Sequence, residues 1–271
     1  MSGWQKIRDD IKAGPVSATG KRVVLVEGDD DKDAFGAILG RHSPEWETKW
    51  TFEPANGKQN VTAILAEEAG WLGVIDRDEW TDSQVTQNTA ALANLWVLPR
   101  FCLECYLVNP DELWNALPTI QQQRIAGGAT QLGRAILSDI SRWIRHGALW
   151  SVVNPMWEGL FNLGFQRELL DVNTAQDDVM IQNKLNEWHD FLDPTQAFTD
   201  FTARLTAVDG LPVEDQLCRW VHGKMFFSQT VVPALNRLLD QKSADDWRRD
   251  VFKTLPVPSD MDPLWQKMGL A

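Results

Sequence analysis

Two apolar runs that each end abruptly in carboxylates constrain this chain more than any other feature. Val23-Val24-Leu25-Val26 leads straight into Glu27-Gly28-Asp29-Asp30-Asp31, and Trp71-Leu72-Gly73-Val74-Ile75 leads into Asp76-Arg77-Asp78-Glu79. A run with no polar position fits a strand covered on both faces, as helices on either side of a parallel sheet would cover it. After the first run, Lys32 to Leu39 carries helical spacing, with Ala34, Phe35, Ile38 and Leu39 along one side. Further strands are expected over Trp50 to Phe52 and Leu95 to Leu98, the second stopped by Pro99. An Asn56-Gly57 turn and a helix from Gln59 to Ala69 fall between strands, and Pro110 is well placed to open a helix over Asp111 to Ala116. The pattern predicts an α/β fold with a small parallel sheet flanked by helices.

From residue 119 onward the periodicity is helical. Helices are predicted over Gln131 to Ile144, from Gln166 onward, and over Gln182 to Phe191, Gln196 to Thr206, Glu214 to Phe227 and Val231 to Leu239. The expected organisation is an α/β domain over 1–118 and an α-helical C-terminal domain over 119–271. A lead-in helix from Trp4 to Lys12 would be closed by Gly14-Pro15, and the Pro-rich stretch from Leu255 to Leu264 reads as irregular.

The net charge of −12 argues against a protein that coats nucleic acid, because such proteins neutralise phosphates with clustered Lys and Arg. A nuclease is not excluded by it, since carboxylates that await divalent cations make a site more acidic on paper than when loaded. The three cysteines, Cys102, Cys105 and Cys218, are too few for a disulfide framework. Cys102 and Cys105 have C-x-x-C spacing without a second pair or a nearby His, which favours buried thiols over zinc. The four histidines show no metal spacing. Gly14 to Lys21 departs from a P-loop in glycine spacing and precedes a strand instead of following one. Nothing suggests a leader or a membrane span, so a cytoplasmic location is expected. The 14 Trp residues against a single Tyr, Tyr106, read as core or interface anchors.

Ligands of open parallel sheets bind beyond the carboxyl ends of the strands, and both acidic runs fall there. If the two strands are neighbours, Glu27 converges with Asp76 and Asp78. Carboxylates held that close repel one another unless a divalent cation sits among them, and hard oxygen ligands select Mg²⁺ or Mn²⁺. The plainer reading of the Asp29 to Asp33 run is turn and helix-cap residues. It explains Glu27 poorly, because Glu is a weak cap.

Val26-Glu27-Gly28, Asp31, Phe35 and Ile75-Asp76-Arg77-Asp78 together resemble the Toprim signature shared by topoisomerases, primases, recombination factors and the OLD family of nucleases. Arg100 with Phe101 to Leu107, and His222-Gly223-Lys224, resemble the additional acid and late lysine of OLD-like Toprim proteins. Within that group the chain looks most like stand-alone Toprim proteins with a helical C-terminal part, including the Toprim effector of the PARIS anti-phage defence system. The core of the resemblance covers about the first 120 residues of the sequence.

The resemblance implies a Toprim-like fold and a Mg²⁺- or Mn²⁺-dependent nuclease. Glu27 would act as metal ligand or general acid/base. Asp76 and Asp78 would bind metal, Asp31 and Glu104 would allow a second ion, and Lys224 would neutralise charge on the phosphate. Cys102 and Cys105 flank Glu104 where the family pattern suggests a more polar setting. Lys224 also reads as a solvated cation ending a helix, and Arg77 and Arg100 either hold phosphate or pair with nearby acids. Arg142, Arg145 and His146, and likewise Arg248 with Arg249, read as solvated basic helix sides. The resemblance further implies an anti-phage toxin effector that cleaves transfer RNA, is held by an ATPase partner and works as a homodimer. Two other readings stand beside it. Ile75-Asp76-Arg77-Asp78 also resembles the strand end of haloacid-dehalogenase phosphatases, although Trp80 stands where they carry Thr or Val. A catalytically silent Toprim scaffold acting by protein binding is the third.

Overall fold

The structure, a computed structural model, describes residues 3–165 and 176–270. Four strands, β1 (Arg22–Val26), β2 (Trp50–Pro54), β3 (Leu72–Ile75) and β4 (Leu95–Val97), form one sheet in the order β2-β1-β3-β4. All pairings are parallel, with Val24 opposite Leu72 and Leu25 opposite Gly73 at the centre. The α/β class, the small parallel sheet and the predominance of helix in the rest of the chain agree with expectation. Val23, Val24, Leu25 and Val26 are fully buried, as their unbroken apolar run requires. Each such side chain contributes about 1.5–3 kcal/mol relative to exposure.

By compactness the chain divides into two units, one built from the residues up to Ser138 together with those from Leu217 onward, the other from Asp139–Gln216. In the first, the Asp29–His42 helix packs on β1 and β2 and on the helix Ala244–Thr254. The Lys58–Leu65 helix lies against β3. In the second, the helices Ile140–Asn162 and Pro194–Asp209 pack against each other, and Trp188 Nε1 donates to the Leu163 carbonyl at 3.0 Å.

Several expected boundaries move. The lead-in helix does not close at Gly14-Pro15: Gly3–Ile11 continues through a wide turn at Lys12–Val16 and ends at Gly20, whose φ is +66°. A π-type turn tolerates Pro15 because it loosens the ladder that the missing N–H would interrupt. The helix expected over Gln131 to Ile144 is two, Gly128–Leu137 and Ile140–Asn162, parted at Ser138-Asp139. The helix expected over Glu214 to Phe227 ends at Arg219 and restarts at Gly223. The stretch from Leu255 to Leu264 is more ordered than its prolines suggest, because Pro263 stands in the first turn of a helix, Asp262–Met268, that buries Leu264 and Trp265. The helix expected from Gln166 begins outside the described residues. Among the described residues no helix is long and apolar enough to cross a membrane.

At Gly73 in β3 the sheet and the Lys58–Leu65 helix approach closely. A Cβ there would lie 2.5 Å from Leu65 Cδ1 and 2.8 Å from Val61 Cγ1. Gly73→Ala is therefore expected to destabilise the protein by about 1–3 kcal/mol in urea unfolding, the usual cost of overpacking a core. An unchanged midpoint would show that the helix yields freely.

Candidate functional site

The chain leaves β1 for β2 on one side of the sheet, and β3 and β4 occupy the other. The crevice between β1 and β3 is thus the topological switch point, where parallel sheets bind ligands. Glu27 and Asp76 follow the last residues of these two strands. Glu27 Oε1 accepts a hydrogen bond from the Asp76 backbone N–H at 2.8 Å, so the two acidic runs are tied directly. The Glu27 carbonyl accepts from Gly57 N–H at 2.9 Å, fixing the Asn56-Gly57 turn at the same edge. Gly57 has φ +111°, which makes glycine the suitable residue there.

Asp76 is 5% exposed. Its Oδ1 accepts from Leu103 N–H at 3.1 Å and its Oδ2 pairs with Lys224 Nζ at 3.0 Å. Burial pushes the Asp76 carboxyl well above its ordinary range, against the pull of Lys224, and neighbouring Asp78, Asp31 and Glu104 push it the same way as burial does. Burial likewise raises Glu27 and Asp31.

Asp31 takes the helix-cap role considered for it. Its Oδ2 accepts from Gly28 N–H at 2.9 Å and so caps the Asp29–His42 helix, while its Oδ1 lies 3.9 Å from Arg248 Nη2. Asp78 has φ +49°, a conformation Asp tolerates better than most residues. Its N–H donates to the Phe101 carbonyl at 2.7 Å, and its Oδ2 lies 2.5 Å from Lys58 Nζ. Glu104 stands in the tight turn Leu103–Leu107, buried to 5% exposure, with Oε1 3.2 Å from Arg248 Nε and Oε2 making no hydrogen bond.

Lys224 reaches Asp76 because the chain breaks at His222, which precedes the short turn Gly223–Phe226. A Cβ on Gly223 would sit 2.6 Å from Cys102 Sγ, 2.8 Å from Cys105 Sγ and 3.0 Å from Cys105 N. The C-x-x-C turn is thus a buried platform on which only glycine fits this closely. Burial raises the Cys102 thiol well above its ordinary value, which suits packed, protonated thiols. Burial alone would lower the Lys224 pKa, but Asp76 and Glu104 more than reverse that and hold the ammonium charged.

Arg77 and Arg100 are committed to other partners. Arg77 bonds the Trp80 carbonyl and Asp82. Arg100 grips Glu112 with two 2.6 Å hydrogen bonds, reaches Asp260 at 3.0 Å and stacks over Tyr106, so both pair with acids instead of facing the crevice. Of the basic helix sides, Arg145 lies over the Phe201 ring, and Arg248 turns inward at 12% side-chain exposure. Lys58, not singled out from the sequence, therefore joins the site, and so does Arg248, which the sequence offered only as part of a solvated basic helix side. Lys58 carried a signal, since it follows the Asn56-Gly57 turn beyond β2 at the same sheet edge. For Arg248 nothing in the sequence signalled that it turns toward the acids, because its helix lies far along the chain.

Among the described residues, no three His, Cys, Asp or Glu side chains already converge into a cage for a metal ion. The donor chemistry nonetheless suits a hard cation: five carboxylates from three segments share one electrostatic neighbourhood, and one buried oxygen, Glu104 Oε2, has no partner. No family model matches the sequence, and no curated protein matches it significantly.

Two variants probe this geometry. A carboxyl whose pKa is raised by folding stabilises the fold at acid pH, and that contribution is lost as pH rises through the folded pKa. Without divalent ions, Asp76→Asn is therefore expected to melt above the parent protein at neutral pH by about 2–6 °C, for a gain of about 1–2 kcal/mol. The margin should shrink as pH falls toward about 4, and a lower melting point at pH 7 would contradict the burial argument. Gly223→Ala, which forces the platform apart, should cost about 1–3 kcal/mol in urea. Full stability in that variant would mean the close approach is not needed.

Proposed function

We propose that the chain is a divalent-metal-dependent nuclease that hydrolyses phosphodiesters of RNA or DNA. The observation that carries this reading is the buried Asp76 carboxylate at the switch point, tied to Glu27 through its own N–H and to Lys224 through Oδ2, with Asp31, Asp78 and Glu104 close by. Glu27, Asp76 and Asp78 would hold a first Mg²⁺ or Mn²⁺, with Asp31 and Glu104 available to a second. Bound there, the metal would neutralise phosphate charge and lower the pKa of water.

The chain's own residues supply the rest. Lys224, held charged beside Asp76, places a cation where negative charge develops on a phosphoryl oxygen. Leu103 N–H and Lys224 fix the two oxygens of Asp76, and Glu27 is fixed by the Asp76 N–H, so both carboxyl groups are held in set orientations at the strand ends. Lys58 sets the Asp78 carboxylate and lies 4.8 Å from the Trp80 ring centroid, which limits how far that carboxylate turns. By the family resemblance, we extend the reading to a transfer RNA substrate, an ATPase partner, a homodimer and a role in anti-phage defence.

Purified protein incubated with transfer RNA and with plasmid DNA in Mg²⁺, Mn²⁺ or EDTA tests the reading. Cleavage is expected to need metal, to vanish in Glu27→Ala, and to fall by about 10²–10³-fold in Lys224→Ala, the usual loss for one electrostatic contact to the transition state. Cleavage indifferent to EDTA and to Glu27→Ala would discredit the site. Hydrolysis of a small phosphomonoester that is lost in Asp76→Asn, without nucleic acid cleavage, would favour the phosphatase. Inactivity on every substrate would favour the scaffold.

A further inference from the structure

Arg100 and Arg248, both largely shielded from solvent, are satisfied very differently. Arg100 makes a bidentate, charge-assisted pair with Glu112, both hydrogen bonds at 2.6 Å. Arg248 faces three carboxylates, with Nη1 2.9 Å from Asp30 Oδ2, Nη2 3.9 Å from Asp31 Oδ1 and Nε 3.2 Å from Glu104 Oε1. The approach to Glu104 does not have hydrogen-bond geometry: Arg248 Nε is buried without a hydrogen bond, and so is Glu104 Oε2. A guanidinium does not surrender its proton, so it remains a fixed positive charge among these acids. It neutralises them without completing their hydrogen bonding, and leaves Glu104 Oε2 buried without a partner.

Behind Arg248 lies room. A cavity of about 320 Å³ separates the Asp29–His42 and Ala244–Thr254 helices, lined among others by Asp30, Asp33, Ala34, Arg249 and Phe252, and Arg248 forms part of its wall. Asp30 and Asp33 on that wall would receive a guanidinium that swung outward.

We propose that Arg248 is a built-in cation on the Asp31–Glu104 side of the carboxylate group, which a divalent ion must displace into the adjoining cavity in order to bind there. The inference rests on the metal-site reading above and adds a residue and a function to it. A divalent ion and a guanidinium repel each other and compete for the same oxygens, so they exclude one another at Asp31 and Glu104. An ion would also give Glu104 Oε2 the contact that Arg248 does not. The second ion would thus bind weakly until something else, such as a substrate phosphate, offers Arg248 a better partner.

Calorimetric titration of the full chain with Mn²⁺ tests this, alongside Arg248→Gln, Arg249→Gln and Glu104→Gln. Arg248→Gln should tighten a binding step at least tenfold, and adding Glu104→Gln to it should abolish that step. Arg249→Gln removes the same charge from the same helix and should leave the step unchanged. Should Arg248→Gln fail to fold, Arg248→Lys keeps the charge while losing the reach across three carboxylates, and a several-fold tightening is expected. Mn²⁺ binding by the parent protein that depends on Asp76 but is no tighter in the Arg248 variants would overturn the inference and leave the metal reading intact. Equal tightening in Arg249→Gln would reduce it to a general charge effect and overturn it too. No Mn²⁺ binding by any of these proteins would remove the metal reading itself, and the inference with it.

Discussion

The fold around the crevice depends on a single buried carboxylate. Asp76 places a carboxyl group where there is almost no solvent, and the chain compensates with ties from distant segments: Leu103 N–H to one oxygen, Lys224 to the other, and the Asp76 N–H to Glu27. Removing any one of these leaves a buried polar group short of a partner, which is costlier than the mean worth of a hydrogen bond. Asp76 therefore ties together the turn after β4 and the break before Lys224 through its carboxyl group, and the end of β1 through its N–H. A site assembled this way is destabilising by itself, because burial penalises the ionised form. Proteins retain such strain mainly where function requires it.

Around Asp76 the acids and bases alternate. Lys58 serves Asp78, Lys224 serves Asp76, and Arg248 serves Asp30, Asp31 and Glu104. In a chain with net charge −12, three cations are drawn to the acids at this one sheet edge. The arrangement also separates two kinds of pairing. Arg100 and Arg77 sit in well-made pairs that hold turns together, whereas Arg248 sits in an incomplete one.

Much of the sheet was legible because the relevant signals are local. A strand buried on both faces must be apolar throughout, so Val23 to Val26 and Leu72 to Ile75 announced themselves, as did the acids that end them. Adjacency of β1 and β3 was a condition of the reading and is met by their pairing. The Asn56-Gly57 turn was legible for the same local reason. Less legible was everything set by long-range packing. Helical periodicity over 214–227 shows no break at His222, since the break exists to seat Gly223 on the C-x-x-C turn. Nor does periodicity reveal that residues from Leu217 onward pack into the unit that holds the sheet, bringing Lys224 and Arg248 to acids more than a hundred residues away. Prolines misled in two places, near Pro15 and Pro263, because a wide turn and a first helical turn each accommodate the missing N–H.

The account stands on carboxylates from separate segments sharing one divalent ion. Anomalous diffraction from crystals soaked in Mn²⁺ tests this most directly. A peak coordinated by Asp76 together with Glu27 or Asp78 is the result expected. Crystals saturated with Mn²⁺ whose only peaks lie on the outer surface, with the Asp76 carboxyl still held by Leu103 N–H and Lys224, would contradict it.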